Sequence, residues 1–441
     1  MESSLKAIGE TTVQIIDGDR GDHYPKKAEF HKKGFCLFLS TSNVTTTGFD
    51  FESTEFITRE KDALLRKGKL LRNDIVMTTR GTVGNSAFYG YSIPYENVRI
   101  NSGMVIFRTV EDELDPYYLY CFLRSELFEK QTLNHGSGSA QPQLPIASLR
   151  NIKIPVPRPS TQKAISKVLS TLDAKIELNN RINDELEGLA KLLYDYWFVQ
   201  FDFPISAEQA AAMGNPQLQG KPYRQSGGKM VYNETLKREI PEGWEDGTLS
   251  EFCTMKRGVT YGKNDVLPSS YSNASPVLRA TNVTGSILDL HDMVYVHQRM
   301  VNEDQYLQLH DNLVVMSSGS KDHVGKNAPM YHEESVAFGA FCSKVTPAPK
   351  ARAFIKVFLQ SAYYRKFIRN VSLGTNINNL TDEHVIGQKL PTPPDGILSQ
   401  FEAVLQPAFE KIGNNHRQNQ YLTELRDWLL PMLMNGQVTV G

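Results

Sequence analysis

STQKAISKVLSTLDAKIELNNRINDELEGLAKLLYDYWFVQF, residues Ser160–Phe201, decides the architecture of this 441-residue chain. Ile165, Leu169, Leu172, Ile176, Asn179, Asn183, Leu186, Ala190, Leu193 and Trp197 follow one another at alternating steps of 4 and 3. Such a heptad seam marks a helix packed along its length against another helix. Moving 236 positions along the chain gives Phe401, Leu405, Ala408, Ile412, Asn415, Asn419, Leu422, Arg426, Leu429 and Leu433. The seam repeats, both central asparagines included, and only Arg426 is out of character. A buried asparagine costs stability but fixes register, because only a facing polar group satisfies it. Asn179, Asn183, Asn415 and Asn419 therefore read as a register lock between two antiparallel helices. Each helix of ~40 residues would be about 60 Å long, and Pro431 is expected to kink or fray the second.

The same shift runs through the flanking sequence. It relates Gly138 to Gly374, Leu144 to Leu380, Pro155 to Pro391, and Phe122-Leu123-x-Ser125 to Phe358-Leu359-x-Ser361. A duplicated unit implies two similar sites on one polypeptide. The expected order is a globular block at 1–158, a spacer helix at 159–201, a connector at 202–242, a second block at 243–395 and a second helix at 396–436. Short β-rich runs such as Ile75-Val76-Met77 and Met104-Val105-Ile106-Phe107 alternate with turn residues. A helix is expected over Pro116–Gln131, and the alternate prolines of Ile154–Pro159 demand an extended segment. The connector is polar, with one short helical stretch near Ala207–Met213. The fold class is α+β, with two similar mixed β/α domains separated by two long helices that form an antiparallel intramolecular coiled coil.

Composition sets looser bounds. Hydrophobic residues make up 40% and charged residues 22%, ordinary values for a globular protein of two domains. The 4 cysteines form no C-x-x-C pair, so they read as reduced thiols in a cytoplasmic protein, with no disulfide framework or zinc knuckle. The start shows no signal-peptide pattern, and no apolar run approaches the ~18 residues of a membrane helix. Lys and Arg total 48 against 49 Asp and Glu. This argues mildly against a nucleic-acid partner, but acidic helices can balance a basic face elsewhere.

A catalytic constellation is expected to be absent, and so is a metal site. Gly319–Asn327 approaches a phosphate loop, yet five residues separate its glycines where four are needed, and Asn327 replaces the magnesium-binding hydroxyl. There is no G-x-S-x-G or H-E-x-x-H. Thr392-Pro393-Pro394-Asp395 has the prolines of an adenine methyltransferase loop without its flanks.

What the blocks do share is polar loops. Phe38–Val44 aligns with Val277–Val283, and Leu71–Gly81 aligns with Leu309–Gly319, which sets Arg80 against Ser318. A Val-Gly follows in each, then Asn85 or Lys326; Gly18-Asp19-Arg20 corresponds loosely to Lys256-Arg257-Gly258. Arg, Lys, Asn, Thr and Tyr are the side chains that contact phosphates and base edges. The candidate contacts are Arg20, Tyr24, Lys26, Asn43, Arg80, Thr82 and Asn85 in the first block. In the second they are Arg257, Tyr261, Lys263, Arg279, Asn282, Ser318, Lys321 and Lys326. For any single residue a turn or a solvated charge is the commoner role, although turns need no cation.

Several stretches resemble specificity subunits of type I restriction–modification systems. They are Tyr194-Asp195-Tyr196-Trp197-Phe198-x-x-Phe201-Asp202-Phe203-Pro204, the connector Gly220–Val231, Leu236–Trp244, Ile16–Pro25 and Arg80–Gly84. The resemblance spans essentially the whole chain in order, although the first block lacks the Pro-x-Gly-Trp that opens the second. It implies a non-catalytic DNA reader in which each block is a target recognition domain for half of an asymmetric, interrupted sequence. The coiled coil would set the spacer and dock two modification subunits. Double-stranded DNA and restriction (motor-nuclease) subunits are further implied partners, with no membrane. No cofactor is expected on this chain; S-adenosylmethionine would belong to the modification subunits, and ATP and Mg2+ to the restriction subunits. Two alternatives stay open: a subunit of a related bifunctional restriction system, and a duplicated scaffold that binds no DNA.

Overall fold

The computed structural model describes the chain except residues 1–3, 110–112, 133–142, 321, 375–378, 439 and 441. It divides into two compact units, Met1–Leu178 with Gln418–Gly441, and Asn179–Arg417.

In the first unit a 4-stranded antiparallel sheet runs in the order Gln14–Asp17, Met104–Arg108, Ile75–Thr78, Ser86–Phe88. Its apolar runs are unbroken because both faces are covered. Ile75, Met77, Val105 and Phe107 join the core under the helix Pro116–Leu123, while Val76, Met104 and Ile106 join Leu37 and Leu39 on the other side. Side chains of a strand point alternately to its two faces, so consecutive residues serve separate cores. The second face is covered by the strands Phe56–Ile57, Cys36–Leu39 and Val98–Ile100, the last two parallel. Ser4–Ala7 pairs with Lys153–Val156, the extended segment that the prolines require.

The expected helix over Pro116–Gln131 is two helices, Pro116–Leu123 and Glu126–Thr132. The Ser125 hydroxyl donates to the Phe122 carbonyl at 2.7 Å, closing the first helix locally. Asp115 caps its start by accepting from the Tyr118 amide at 2.9 Å.

The second unit repeats this plan, with one further strand, Val266–Leu267, added to the covering sheet. Cys253–Arg257, Cys342–Pro347, Asn312–Val315 and Asn327–Pro329 form the corresponding 4-stranded sheet. Ala274–Leu278 again runs parallel to its neighbour, here Ala337–Phe338, and Glu245–Thr248 pairs with Lys389–Thr392. The helices Arg352–Leu359 and Ala362–Gly374 take the places of the first pair.

Two long helices, Pro159–Tyr194 and Asp395–Met434, leave the closing strands, the second continuing past Pro431. In the first unit Ile165 and Leu169 share a core with Leu430, Leu433 and Met434. In the second, Trp197 lies 5.4 Å from Phe401 between ring centroids, and Asn183 accepts a 2.8 Å bond from the Asn415 amide. Numbers rise on one helix as they fall on the other, so the helices pair antiparallel within each unit. Asn179 is buried and Asn419 half-buried. Arg426, the odd residue of the seam, donates to Asp173 at 2.8 Å; the same carboxylate accepts from the Tyr117 hydroxyl at 2.5 Å.

The connector is a folded part of the second unit. After the first long helix a single wide turn, Asp195–Val199, delivers Phe201 in the left-handed region at φ 64°. Phe203 stacks on Tyr223 at 4.7 Å and on Trp244 at 5.4 Å, while Phe198 sits 4.9 Å from Phe354 and 4.8 Å from Phe401. Within its polar composition Phe203 and Tyr223 are the aromatics that join the core. Met230–Asn233 and Arg238–Pro241 make a hairpin, and the short helix is Ala207–Ala212.

Candidate nucleic-acid interface

Four loops of the first block converge at the ends of its strands. Asn101 donates its amide to the Leu39 carbonyl at 3.1 Å, while Thr79 and Arg80 donate theirs to the Gly103 carbonyl at 2.8 and 3.2 Å. Gly18 lies so close that a Cβ there would meet the Asn101 carbonyl oxygen at 2.2 Å. Around this junction stand exposed Arg20 and Arg80. Arg20 pairs with Asp17 at 3.2 Å and donates to the Ser102 carbonyl at 3.3 Å.

The second block builds the same junction from different residues. Gly339 donates to the Leu278 carbonyl at 2.9 Å, while Met316 and Ser317 donate to the Phe341 carbonyl at 2.8 and 3.1 Å. A Cβ on Gly258 would meet the Phe338 carbonyl oxygen at 2.3 Å. Exposed Arg257 donates through Nε to the Ala340 carbonyl at 2.8 Å. An arginine thus steadies the equivalent carbonyl in both blocks, from Arg20 in one and from Arg257 in the other.

These bonds correct the sequence alignment. The Leu71 amide donates to Asp74 at 2.7 Å, and the Gln308 amide donates to Asp311 at 2.8 Å. Asp74 therefore matches Asp311, and Arg80 matches Ser317, one residue earlier than the apolar pattern suggests. Strand register likewise sets Asp17 against Arg257, and Gly18 against Gly258. Asn85 does match Lys326, since their carbonyls accept from Thr78 and Val315 at 2.9 and 2.8 Å.

Asn43 and Asn282 require correction as contact candidates. They are only 4% and 2% exposed. Each side-chain oxygen accepts from the amide three residues back, Ser40 or Arg279, at 2.9 or 2.8 Å. Each amide nitrogen donates to two carbonyls, of Asp50 and Ser53 or of Asp289 and Asp292. Every polar atom is used to shape the loop, so reaching a ligand would require dismantling it. Asn85, half-buried, donates to the Val44 carbonyl at 3.0 Å in the same structural manner. Arg279 is half-buried and tied to Asp292 at 2.7 Å.

Tyr24 is half-buried, its ring edge-on to Phe38 at 5.7 Å, and Tyr261 packs over Gly339. Burial pushes the Tyr261 phenol up, with the Arg279 charge opposing. Lys26, Thr82, Lys263 and Lys326 are exposed, and Ser318 is half-exposed. Lys321 lies outside the described residues.

Sequence reading missed Arg66 and Lys67. Both are exposed, and their backbone amides donate to Asp19 at 2.6 and 3.3 Å, which places them beside the Arg20 loop. Burial pushes the Asp19 carboxyl up, but the amides of Gly21, Arg66 and Lys67 outweigh it and the net shift is down. Through these bonds the Asp19 carboxylate ties the two cationic loops together. A run of two cations before Gly68 was the available signal. No group of three or more His, Cys, Asp or Glu side chains able to hold a metal occurs among the described residues. No helix among them is long and apolar enough to cross a membrane.

Residues 13–188 match the family model described as the type I restriction modification DNA specificity domain. The chain is 25% identical to the MjaIX specificity subunit of Methanocaldococcus jannaschii, across 84% of this chain and 78% of that one. With the HindI specificity subunit of Haemophilus influenzae it shares 24% identity over 96% of this chain and 98% of the relative. Along nearly its whole length the chain is similar to specificity subunits of type I restriction–modification systems. A shorter match to the EcoKI subunit of Escherichia coli K12 is 32% identical over 46% of this chain and 44% of that one. Among solved structures, the S subunit from M. genitalium aligns with a TM-score of 0.53 at 16% identity, covering 98% of this chain and 96% of that chain. That likeness extends the family's fold to the second block, which the family model leaves unmatched.

Proposed function

We propose that this chain reads DNA sequence for a type I restriction–modification complex, with residues 1–158 and 243–395 each recognising one half of an interrupted target. The observation that carries this reading is the repeated loop junction. Two blocks share strand order, buried asparagines and an arginine-held carbonyl, yet present different exposed side chains. Identical scaffolds with different tips are what an asymmetric two-part target requires, because base edges are read by the side chains at the tips.

On this reading Arg20, Arg66, Lys67 and Arg80 face the first half-site, and Arg257, Ser317 and Lys326 the second. The paired helices set the unspecified spacer and carry the modification subunits, two per chain, one for each duplicated unit. The chain itself contributes recognition and no bond chemistry. S-adenosylmethionine is bound by the modification subunits, and ATP and Mg2+ by the restriction subunits. Near-neutral net charge fits a division of labour in which the partners supply much of the phosphate clamping.

The test is an exchange of residues 243–395 for those of a relative with a different target. Mapping methylated adenines in cells that carry the complex should then show one half of a two-part motif replaced and the other kept. An unchanged motif would sink the proposal. Tight DNA binding by the isolated chain with a steep salt slope would overturn the division of labour alone.

A further inference from the structure

We propose that Phe341 is an apolar base probe of the second block, reading a thymine 5-methyl group in the major groove at the position where the first block presents Arg80. This rests on the recognition function above and names its chemistry at one point of the loop junction.

Strand register and the shared carbonyl bonds make Phe341 the counterpart of Gly103. Phe341 is 67% exposed. Single exposed apolar side chains are ordinary on protein surfaces, so position rather than exposure carries the inference. Three matched positions change together. The first block has Thr41, Arg80 and Gly103; the second has Ala280, Ser317 and Phe341. A Cβ on Gly103 would fall 2.9 Å from the Thr41 methyl and 3.9 Å from Arg80 Cβ. In the first block the Thr41 methyl and the Asn101 side-chain oxygen therefore crowd a side chain there, and Arg80 is the exposed side chain beside the junction. In the second block Ala280 has no Cγ and Ser317 is short, which leaves that space to the phenyl ring.

The ring stands on a fixed base. The Phe341 carbonyl accepts from Met316 and Ser317, the Ala340 carbonyl accepts from Arg257, and the Cys342 amide donates to the Gly339 carbonyl at 2.8 Å. A probe held this way is ordered before binding, so little ordering cost is left to meet on contact. Major-groove edges offer two matching handles. Guanine presents a pair of acceptors suited to arginine, and thymine presents the one methyl group suited to an apolar side chain. One junction thus presents a cation in one block and a ring in the other.

The first experiment uses the native chain assembled with its modification subunits, so no variant has to fold. In a duplex carrying the complex's own target, each thymine of the second half-site is replaced in turn by uracil, which removes only the methyl group. One such replacement should weaken binding about four-fold, the worth of one buried methyl-sized group. The same replacement should have no effect on a complex carrying Phe341→Ala. Motif mapping with Phe341→Ala should show relaxed preference at that one base pair, with the first half-site kept as the internal control for folding. Phe341→Leu should retain the preference. A second half-site without thymine, or uracil tolerated at every position, overturns the proposal. So does an unrelaxed motif in Phe341→Ala. A native complex that marks no two-part motif instead overturns the recognition function itself.

Discussion

Each unit sets a polar group where its sheet-covering helix meets a long helix, part-buried Asp173 in the first and buried Lys356 in the second, and the two are satisfied by different means. In the first, Asp173 accepts from Tyr117, Arg124 and Arg426, so charge is matched by charge and hydrogen bonds. In the second, Lys356 is 4% exposed, with its ammonium 4.5 Å from the Tyr331 ring and 4.1 Å from the Phe409 ring. The positions are matched by the repeat, Asp173 with Phe409 and Tyr120 with Lys356. A duplicated scaffold has therefore kept its helix packing while the polar centres at that packing diverged. One is a compensated ion cluster. The other is a lysine held mainly by aromatic faces.

Removing the anion from the first centre tests the contrast most severely. Asp173→Ala removes the anion of part-buried Arg124 and leaves Arg426 only the exposed Asp427 at 2.9 Å, and should lower stability by roughly 3 kcal/mol. A fall in Cm with unchanged m in urea unfolding would register it. The second centre should respond in the opposite sense. Lys356→Met keeps the stem and removes the ammonium, and should raise stability by about 1–3 kcal/mol.

That gain should depend on pH. Burial depresses the Lys356 ammonium to about 7 from its ordinary 10.5, with Glu402 and Glu187 opposing the shift and Arg352 adding to it. Between those two values the unfolded chain holds a proton that the folded chain has released, so native stability rises with pH across the window. The advantage of Lys356→Met should be largest at pH 7 and below and shrink toward pH 10. Thermal melts across that range decide the matter, and a gain that does not vary with pH would mean the buried amine is not titrating.

Smaller effects sharpen the comparison along the helices and loops. Asn183→Ala strands the buried Asn415 amide and should cost about 1–2 kcal/mol. Replacing both asparagines by leucine should recover that stability while loosening register, seen as broadened exchange of helix amides. Arg279→Ala breaks a pair whose Asp292 partner is largely exposed, and should change stability by less than about 1 kcal/mol. The mapped DNA motif should not move, since Arg279 shapes its own loop.

Much of the fold was legible before any coordinates. The heptad steps, the proline-rich extended segments and the 236-position repeat are local or periodic, and side-chain period reports directly which face is buried. Arg426 looked like an error in the seam because its partner Asp173 lies 253 positions away. The connector looked like a linker because aromatics that pack together, such as Phe203 and Tyr223, are scattered among polar residues. Of the candidate contacts, Asn43 and Asn282 share their residue type with true readers of adenine. Only the carbonyls they hold, 7 to 10 residues downstream, show them to be braces.

By itself, then, the sequence determined the duplication, the order of blocks and helices, and the resemblance to specificity subunits. Those depend on patterns that repeat along the chain. Tertiary structure alone decided which residues of the two readers correspond. Arg80 answers to Ser317 and Gly103 to Phe341 because hydrogen bonds between segments over 20 residues apart set that register. An apolar run reads nearly the same when slid by one residue, and only the bonding partner across the junction distinguishes the two settings.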